Sequence, residues 1–194
     1  MNKFLILILF LLTSPLILVA MILVFIEDGR PVIIFQDRVG LDKKVFKLIK
    51  IRTMYNSAPV LGTHEVSKSH YLNIGSVLRK LKIDELPQII NYLKGELSII
   101  GPRPGMPNQD QLTLNREKQG VYKVKPGISG FSQILGYDMS DPIMLSKVDK
   151  IYIDNKSIRL DLKIFISTFI IAQRKLIANE FADKIDKINN DKIF

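Results

Sequence analysis

From Phe4 to Ile26 the chain reads FLILILFLLTSPLILVAMILVFI, apolar throughout apart from Thr13, Ser14 and Pro15. The stretch is long enough for one membrane-crossing helix. Pro15 stands at its centre, removes a backbone donor and predicts a break or kink beside Ser14, which leaves two halves each too short to span. Lys3 precedes the stretch and Arg30, Arg38, Lys43 and Lys44 follow it, so charge does not assign its two ends to opposite sides. Together these features predict a re-entrant anchor over residues 1–28, broken at Ser14 and Pro15. A single span competes with that reading, and so does a signal peptide, for which Leu18 to Ala20 offers only a weak cleavage site.

The pattern then changes. GRPVIIFQDRVG (Gly29 to Gly40) and KVFKLIKIRTM (Lys44 to Met54) are rich in β-branched and aromatic residues and predict a short hairpin turning at Gly40 to Lys43. In the second run Phe46, Leu48 and Ile51 alternate with Lys47, Lys50 and Arg52, giving a basic side that is either a solvated strand face or a phosphate-binding one. Asn56 to His70 lacks either period and predicts a loop. Ile74, Val77, Leu78 and Leu81 recur at helical spacing, as do Leu86, Ile89, Ile90 and Leu93 up to Gly95, so two helices meet near Asp84. From Ser157 onward, Leu160, Ile164, Phe165, Phe169 and Ile170 predict an amphipathic helix, either lying on a bilayer or packed on the core. The expected fold is α+β, with a catalytic or binding domain over 29–178 and a charged, fraying tail over 179–194.

Length and charge narrow the function. A chain of 194 residues suits one folding unit. It has no cysteine, which excludes disulfides and thiolate metal sites. Lys and Arg number 28 against 19 Asp and Glu, a net charge of +9, which favours an anionic partner: nucleic acid, anionic lipid or a phosphorylated substrate. The basic residues lack the aromatic platform of a nucleic-acid binder, and the apolar N-terminus argues against that class.

The candidate chemistry centres on KIDELPQ, Lys82 to Gln88. Pro87 fits only the first turn of an α-helix, so Asp84 and Glu85 are expected at a helix N-terminus, where the dipole favours ionised acids. An N-cap Asp followed by Glu is also ordinary capping. Its neighbours favour a site: Arg79 precedes Asp84 by one helical turn and more, and Arg103 stands between prolines in GPRP, a restrained backbone suited to holding a phosphate. KVKPGISG (Lys123 to Gly130) supplies Lys125 and Gly127 in a turn that either carries phosphate or is an ordinary loop. His64 and His70 lack a matching acidic pattern for zinc.

Ser14-Pro15 in an apolar anchor, then FQDRVG, FKLIKIRTM, KIDELPQIINYLKGELSIIGPRP and KPGISG, in that order, resemble the bacterial sugar transferase family, the monotopic phosphoglycosyl transferases. The resemblance implies an enzyme on the cytoplasmic face of the bacterial inner membrane, with amphipathic helices resting on membrane lipids. Such an enzyme moves a sugar phosphate from a UDP-sugar to polyprenyl phosphate, releases UMP and begins a surface glycan or glycoprotein glycan. It implies that Asp84 forms a covalent phosphosugar intermediate, that Glu85 binds Mg²⁺, and that Arg79 and Arg103 lie near the phosphates, with Lys50, Arg52, Lys125 and Gly127 as weaker substrate contacts. The sequence departs from the family pattern at Leu135-Gly136-Tyr137, where relatives often have Asn-Gly-Arg, and at Lys125, where many have Arg. Two readings compete: a membrane-bound Mg²⁺-dependent nucleotide-sugar hydrolase, and a non-catalytic scaffold binding anionic lipid. The choice of sugar and the existence of a homo-oligomer are left open.

Overall fold

The computed structural model describes residues 3–59 and 67–190. The chain folds as two compact units, Met1–Asp37 with Phe46–Glu96 and Arg38–Val45 with Leu97–Phe194.

The first unit begins with α1 (Lys3–Asp28), which continues through Pro15 where the sequence predicts a break. Pro15 cannot donate to the carbonyl of Leu11, but the Ser14 hydroxyl donates to that oxygen at 2.7 Å, and Thr13 donates to Phe10 at 3.1 Å. The Ser14 hydroxyl thus satisfies a backbone carbonyl that would be costly to leave unpaired in an apolar medium. Ile17, Ala20 and Val24, at three- and four-residue spacing, are buried with Ile51, Leu72 and Leu78. Leu11, Leu12, Leu18, Phe25 and Ile26 remain exposed, on a helix whose segment Ile6–Asp28 is long and apolar enough to cross a membrane.

Two acids at the end of α1 tie it to its unit. Glu27 accepts from the amides of Asn73 (2.6 Å) and Ile74 (3.0 Å), capping the start of α2 (Asn73–Lys80), whose own N-cap residue, Leu72, supplies no side-chain bond. Asp28 pairs with Arg52, whose remaining donors reach the carbonyls of Asp28, Gly29, Pro31 and Met54.

The expected hairpin forms from β1 (Ile33–Val39) and β2 (Val45–Ile51). Phe46, Leu48 and Ile51 are buried as the alternation predicts. After α2, Lys82 adopts a left-handed conformation (φ 61°) and Ile83–Gln88 forms a 3-10 helix that runs into α3 (Ile89–Lys94). The three-residue period of that turn sets Ile83 and Leu86 together against the α1 cluster. Gly95 ends α3 at φ 82°, as its position after the periodic run predicts. The fully buried Asn91 on α3 accepts from the amide of Ile49 and donates to the carbonyl of Lys47, which fixes β2 beside the acidic turn.

The second unit holds a two-stranded parallel sheet, β3 (Ser98–Ile100) with β4 (Gly127–Ser129), in the register Ser98 opposite Gly127 and Ile100 opposite Ser129. Its helices are α4 (Asp110–Lys118), α5 (Phe131–Ile134), α6 (Pro142–Asp154), α7 (Ile158–Phe169), α8 (Ile171–Glu180) and α9 (Ala182–Asn190). Asp141 caps α6 through the Met144 amide, with Pro142 opening the helix, and Ser157 caps α7 through the Leu160 amide. On α7, Leu160 and Ile164 are buried while Ile158, Leu162, Phe165 and Phe169 are exposed, so the helix has an apolar stripe on each side. The segment expected to fray is helical through residue 190: Ile177, Phe181 and Ile185 recur every four residues and enter the core around Phe131, Val148 and Tyr152.

Candidate active site

Asp84 and Glu85 sit in the 3-10 turn, both buried, at 6 and 9% exposure. This is a tighter start to the helix than the sequence predicts, and it matters chemically: the turn presses its apolar residues against the α1 cluster while holding the two carboxylates side by side. Burial, and then the adjacent Glu85 charge, push the Asp84 carboxyl up to about 6, against the pull of Lys50, Arg79 and Lys82. Oδ1 of Asp84 is buried without a hydrogen-bond partner among the described residues.

The cations come from three elements. Lys50 lies on β2, held in place by the Asn91 bonds to its neighbours Lys47 and Ile49. Arg79 lies in the last turn of α2 with its guanidinium 4.7 Å from the centre of the Tyr71 ring, and its Nη1 is buried without a hydrogen-bond partner among the described residues. Lys82 stands 3.8 Å from Glu85. No motif singles out Lys82 in the sequence, and its signal is the three-residue spacing from Glu85. Arg52 belongs to the same basic run as Lys50 but is almost fully buried, and the five acceptors around its guanidinium give it a structural role at the end of α1.

In the second unit, Arg103 and the Lys125–Gly127 turn are neighbours. A methyl added to Gly101 would lie 2.6 Å from the Lys125 carbonyl, and one added to Gly127 would lie 2.1 Å from the Gly101 amide nitrogen. The Gly127 amide donates to the Pro102 carbonyl at 3.0 Å. Close strand pairing, and not an open phosphate cradle, is therefore what requires glycine there. Lys125 is exposed. The carbonyl of Arg103 accepts from Arg116 Nη1 at 2.8 Å, and Arg116 is itself held by Asp149 at 2.6 and 2.9 Å, with Ser132 donating to the other Asp149 oxygen. This buried ion pair escapes sequence reading because Arg116 lies in a polar run, LNREKQ, without apolar period.

His64 lies outside the described residues, and His70 ends a short 3-10 turn, Lys68–His70. Among the described residues no group of three or more His, Cys, Asp or Glu side chains could hold a metal ion. A closed metal cage is thus absent from them, whereas Mg²⁺ is commonly held by one or two carboxylates together with substrate phosphates and water. The Asp84–Glu85 pair, with its orphaned carboxylate oxygen, fits that second kind of site.

Two adjacent buried acids, one of raised pKa, with lysine and arginine around them on a turn packed against an apolar helix, form a site suited to phosphoryl chemistry. The chain belongs to the bacterial sugar transferase family, whose model matches residues 1–175. It is 38% identical over 181 residues to "Uncharacterized sugar transferase EpsL" of Bacillus subtilis (strain 168), covering 93% of this chain and 87% of that protein. It is also 38% identical to the UDP-N-acetylgalactosamine-undecaprenyl-phosphate N-acetylgalactosaminephosphotransferase of Aeromonas hydrophila, covering 80% of this chain but 38% of that protein. The UDP-glucose:undecaprenyl-phosphate glucose-1-phosphate transferase of Caulobacter vibrioides is 32% identical, with 80% of this chain and 61% of the relative covered. The chain therefore spans less than two thirds of the length of these last two relatives.

Proposed function

We propose that the protein transfers a sugar phosphate from a UDP-sugar to polyprenyl phosphate, releasing UMP, through a covalent intermediate on Asp84. The observation that carries this reading is the buried Asp84 carboxylate, ringed by Lys50, Arg79 and Lys82, on a turn packed against an apolar helix. Relatives named for undecaprenyl-phosphate sugar-phosphate transfer support the donor and acceptor classes.

In the first step the Asp84 carboxylate attacks the phosphorus that bears the sugar, and the bond from that phosphorus to UMP breaks, leaving an acyl phosphate and free UMP. Burial and the neighbouring Glu85 make the free carboxylate unfavourable, and attack moves its negative charge from the Asp84 oxygens onto the phosphoryl group, where Lys50, Arg79 and Lys82 can meet it. Arg79 and Lys50 would stabilise the charge on the transferring phosphoryl group. Mg²⁺ held by Glu85 and the substrate phosphates would supply charge neutralisation of the pyrophosphate. In the second step an oxygen of polyprenyl phosphate attacks the same phosphorus, and the bond to Asp84 breaks and restores the carboxylate. A lipid acceptor and a soluble donor meet only at a membrane surface, which gives α1 its purpose: an anchor on the cytoplasmic face of the bacterial inner membrane, bent about Ser14 and Pro15, with the outer apolar stripe of α7 resting on the bilayer.

The test is UMP release from a panel of UDP-sugars by detergent-solubilised protein, with and without polyprenyl phosphate. The proposal expects multiple turnovers only with the lipid and one preferred donor. Sustained UMP or sugar-phosphate release without lipid would favour the hydrolase instead, and no release from any donor would favour the scaffold.

A further inference from the structure

Beside α1 the structure contains a groove of about 490 Å³ that the proposed chemistry leaves unassigned. Leu18, Met21, Ile22 and Phe25 form one stripe along the helix, and Pro31, Val32 and Ile33 close the other wall. The single charged residue lining it is Arg30.

Three features distinguish this groove from the general apolar surface of α1. Its wall combines a helix stripe with the extended lead-in to β1, which together form a groove. Arg30 is exposed, and no ion-pair partner stands beside it among the described residues. The nearby acids are committed elsewhere: Glu27 to the amides of α2 and to Tyr55, Asp28 to Arg52 and the Asn56 amide. The charge of Arg30 is therefore uncompensated at the mouth of an apolar trough, immediately after a segment apolar enough to enter a bilayer.

An isolated cation at one end of an apolar channel is complementary to an amphiphile with a phosphate head and a hydrocarbon tail. Guanidinium matches phosphate through paired N–H donors, and a trough replaces bilayer contact for the first part of the tail. We infer that this groove is the docking site of the polyprenyl phosphate acceptor, with Arg30 on the phosphate and the first isoprene units lying along Leu18, Ile22 and Phe25. The inference rests on the transferase reading for the identity of the acceptor, while the groove and its lone cation stand on geometry. A polar acceptor would find few partners along the walls, which apart from Arg30 are lined by apolar side chains.

The test is photo-cross-linking in nanodiscs with a polyprenyl phosphate carrying a diazirine on its first isoprene units, read by peptide mass spectrometry. Adducts are expected within residues 18–33, competed by unlabelled polyprenyl phosphate and not by phosphatidylglycerol. Arg30→Ala, which removes an exposed side chain, and Ile22→Trp, which fills the trough, should each cut labelling at least about tenfold, with Arg30→Lys retaining part of it. In turnover, Arg30→Ala should raise the KM for the lipid by a similar factor and leave the KM for the nucleotide sugar within about twofold. Flotation of each variant with liposomes checks that it still enters the membrane. Labelling outside 18–33, labelling indifferent to both substitutions, or equal competition by phosphatidylglycerol would overturn the docking site even in an active transferase. Specific labelling of the groove in a protein that releases no UMP would uphold the groove and contradict the transferase reading.

Discussion

Replacing Asp84 with Asn should abolish transfer and at the same time stabilise the protein, by an amount that depends on pH in a defined direction. In the folded chain the Asp84 carboxyl is raised from the ordinary 3.8 to about 6, chiefly by burial. A raised acid pKa means that the folded state holds its proton longer than the unfolded state, so stability falls as pH rises from about 4 to about 6 and stays lowered above that. At roughly 1.4 kcal/mol per pH unit, the span costs about 3 kcal/mol at pH 7.5 and about 1 kcal/mol at pH 4.5. Asp84 is only 6% exposed, so solvent screening removes little of this. Asn is neutral and nearly isosteric, and it escapes the cost. For a chain of this size ~1 kcal/mol moves the melting point by about 2–4 °C, so Asp84→Asn should melt at least about 6 °C higher than the parent at pH 7.5. At pH 4.5 the gap should shrink to about a third. The assay is thermal unfolding of detergent-purified parent and variant in EDTA at both pH values. A gap that does not change with pH, or a variant less stable at pH 7.5, would refute the claim that the site holds its acid against an electrostatic cost.

The same charge balance sets the pH dependence of the chemistry. Acceptor-independent UMP release should decline as pH falls through about 6, and Lys50→Met should move that midpoint upward, because Lys50 is one of the cations holding the pKa down; a midpoint unmoved by the substitution would sever Lys50 from Asp84. Arg116→Met should cost roughly 3–5 kcal/mol by leaving Asp149 buried and uncompensated, measured by denaturant unfolding, and a loss under about 1 kcal/mol would contradict the buried ion pair. EDTA should stop UMP release while leaving the far-UV circular dichroism unchanged, since no described residues form a structural metal cluster; loss of helical signal would show that metal supports the fold.

Much of this site is legible in the sequence because its parts are local. The hairpin, the two helices around KIDELPQ and the stop at Gly95 all follow from alternation, helical spacing and turn residues within a few positions of one another. What stayed hidden depends on distant partners. Pro15 predicts a break or kink, while the hydroxyl of Ser14 reaches the carbonyl that proline leaves unpaired, so helical assignment runs on through it. Arg52 and Lys50 look alike two positions apart on one basic run, yet one is enclosed by carbonyls from the end of α1 and the other acts on Asp84. The glycines of KPGISG read as either a phosphate turn or an ordinary loop, and their steric role appears only when Ser98–Ile100, a strand too short to announce itself, pairs beside them. The tail reads as solvated from its charge, while the fourfold spacing of Ile177, Phe181 and Ile185 brings it into the core.

The central claim is that Asp84 becomes covalently attached to the sugar phosphate. Intact-mass and peptide analysis of the protein, quenched after mixing with the preferred UDP-sugar and Mg²⁺ in the absence of polyprenyl phosphate, tests it most directly. The account predicts a mass increase of one sugar phosphate on the peptide containing Asp84, formed with equimolar UMP, discharged by polyprenyl phosphate and absent from Asp84→Asn. UMP release and lipid product formed at full rate with no adduct at any quench time, or an adduct that persists in Asp84→Asn, would contradict it.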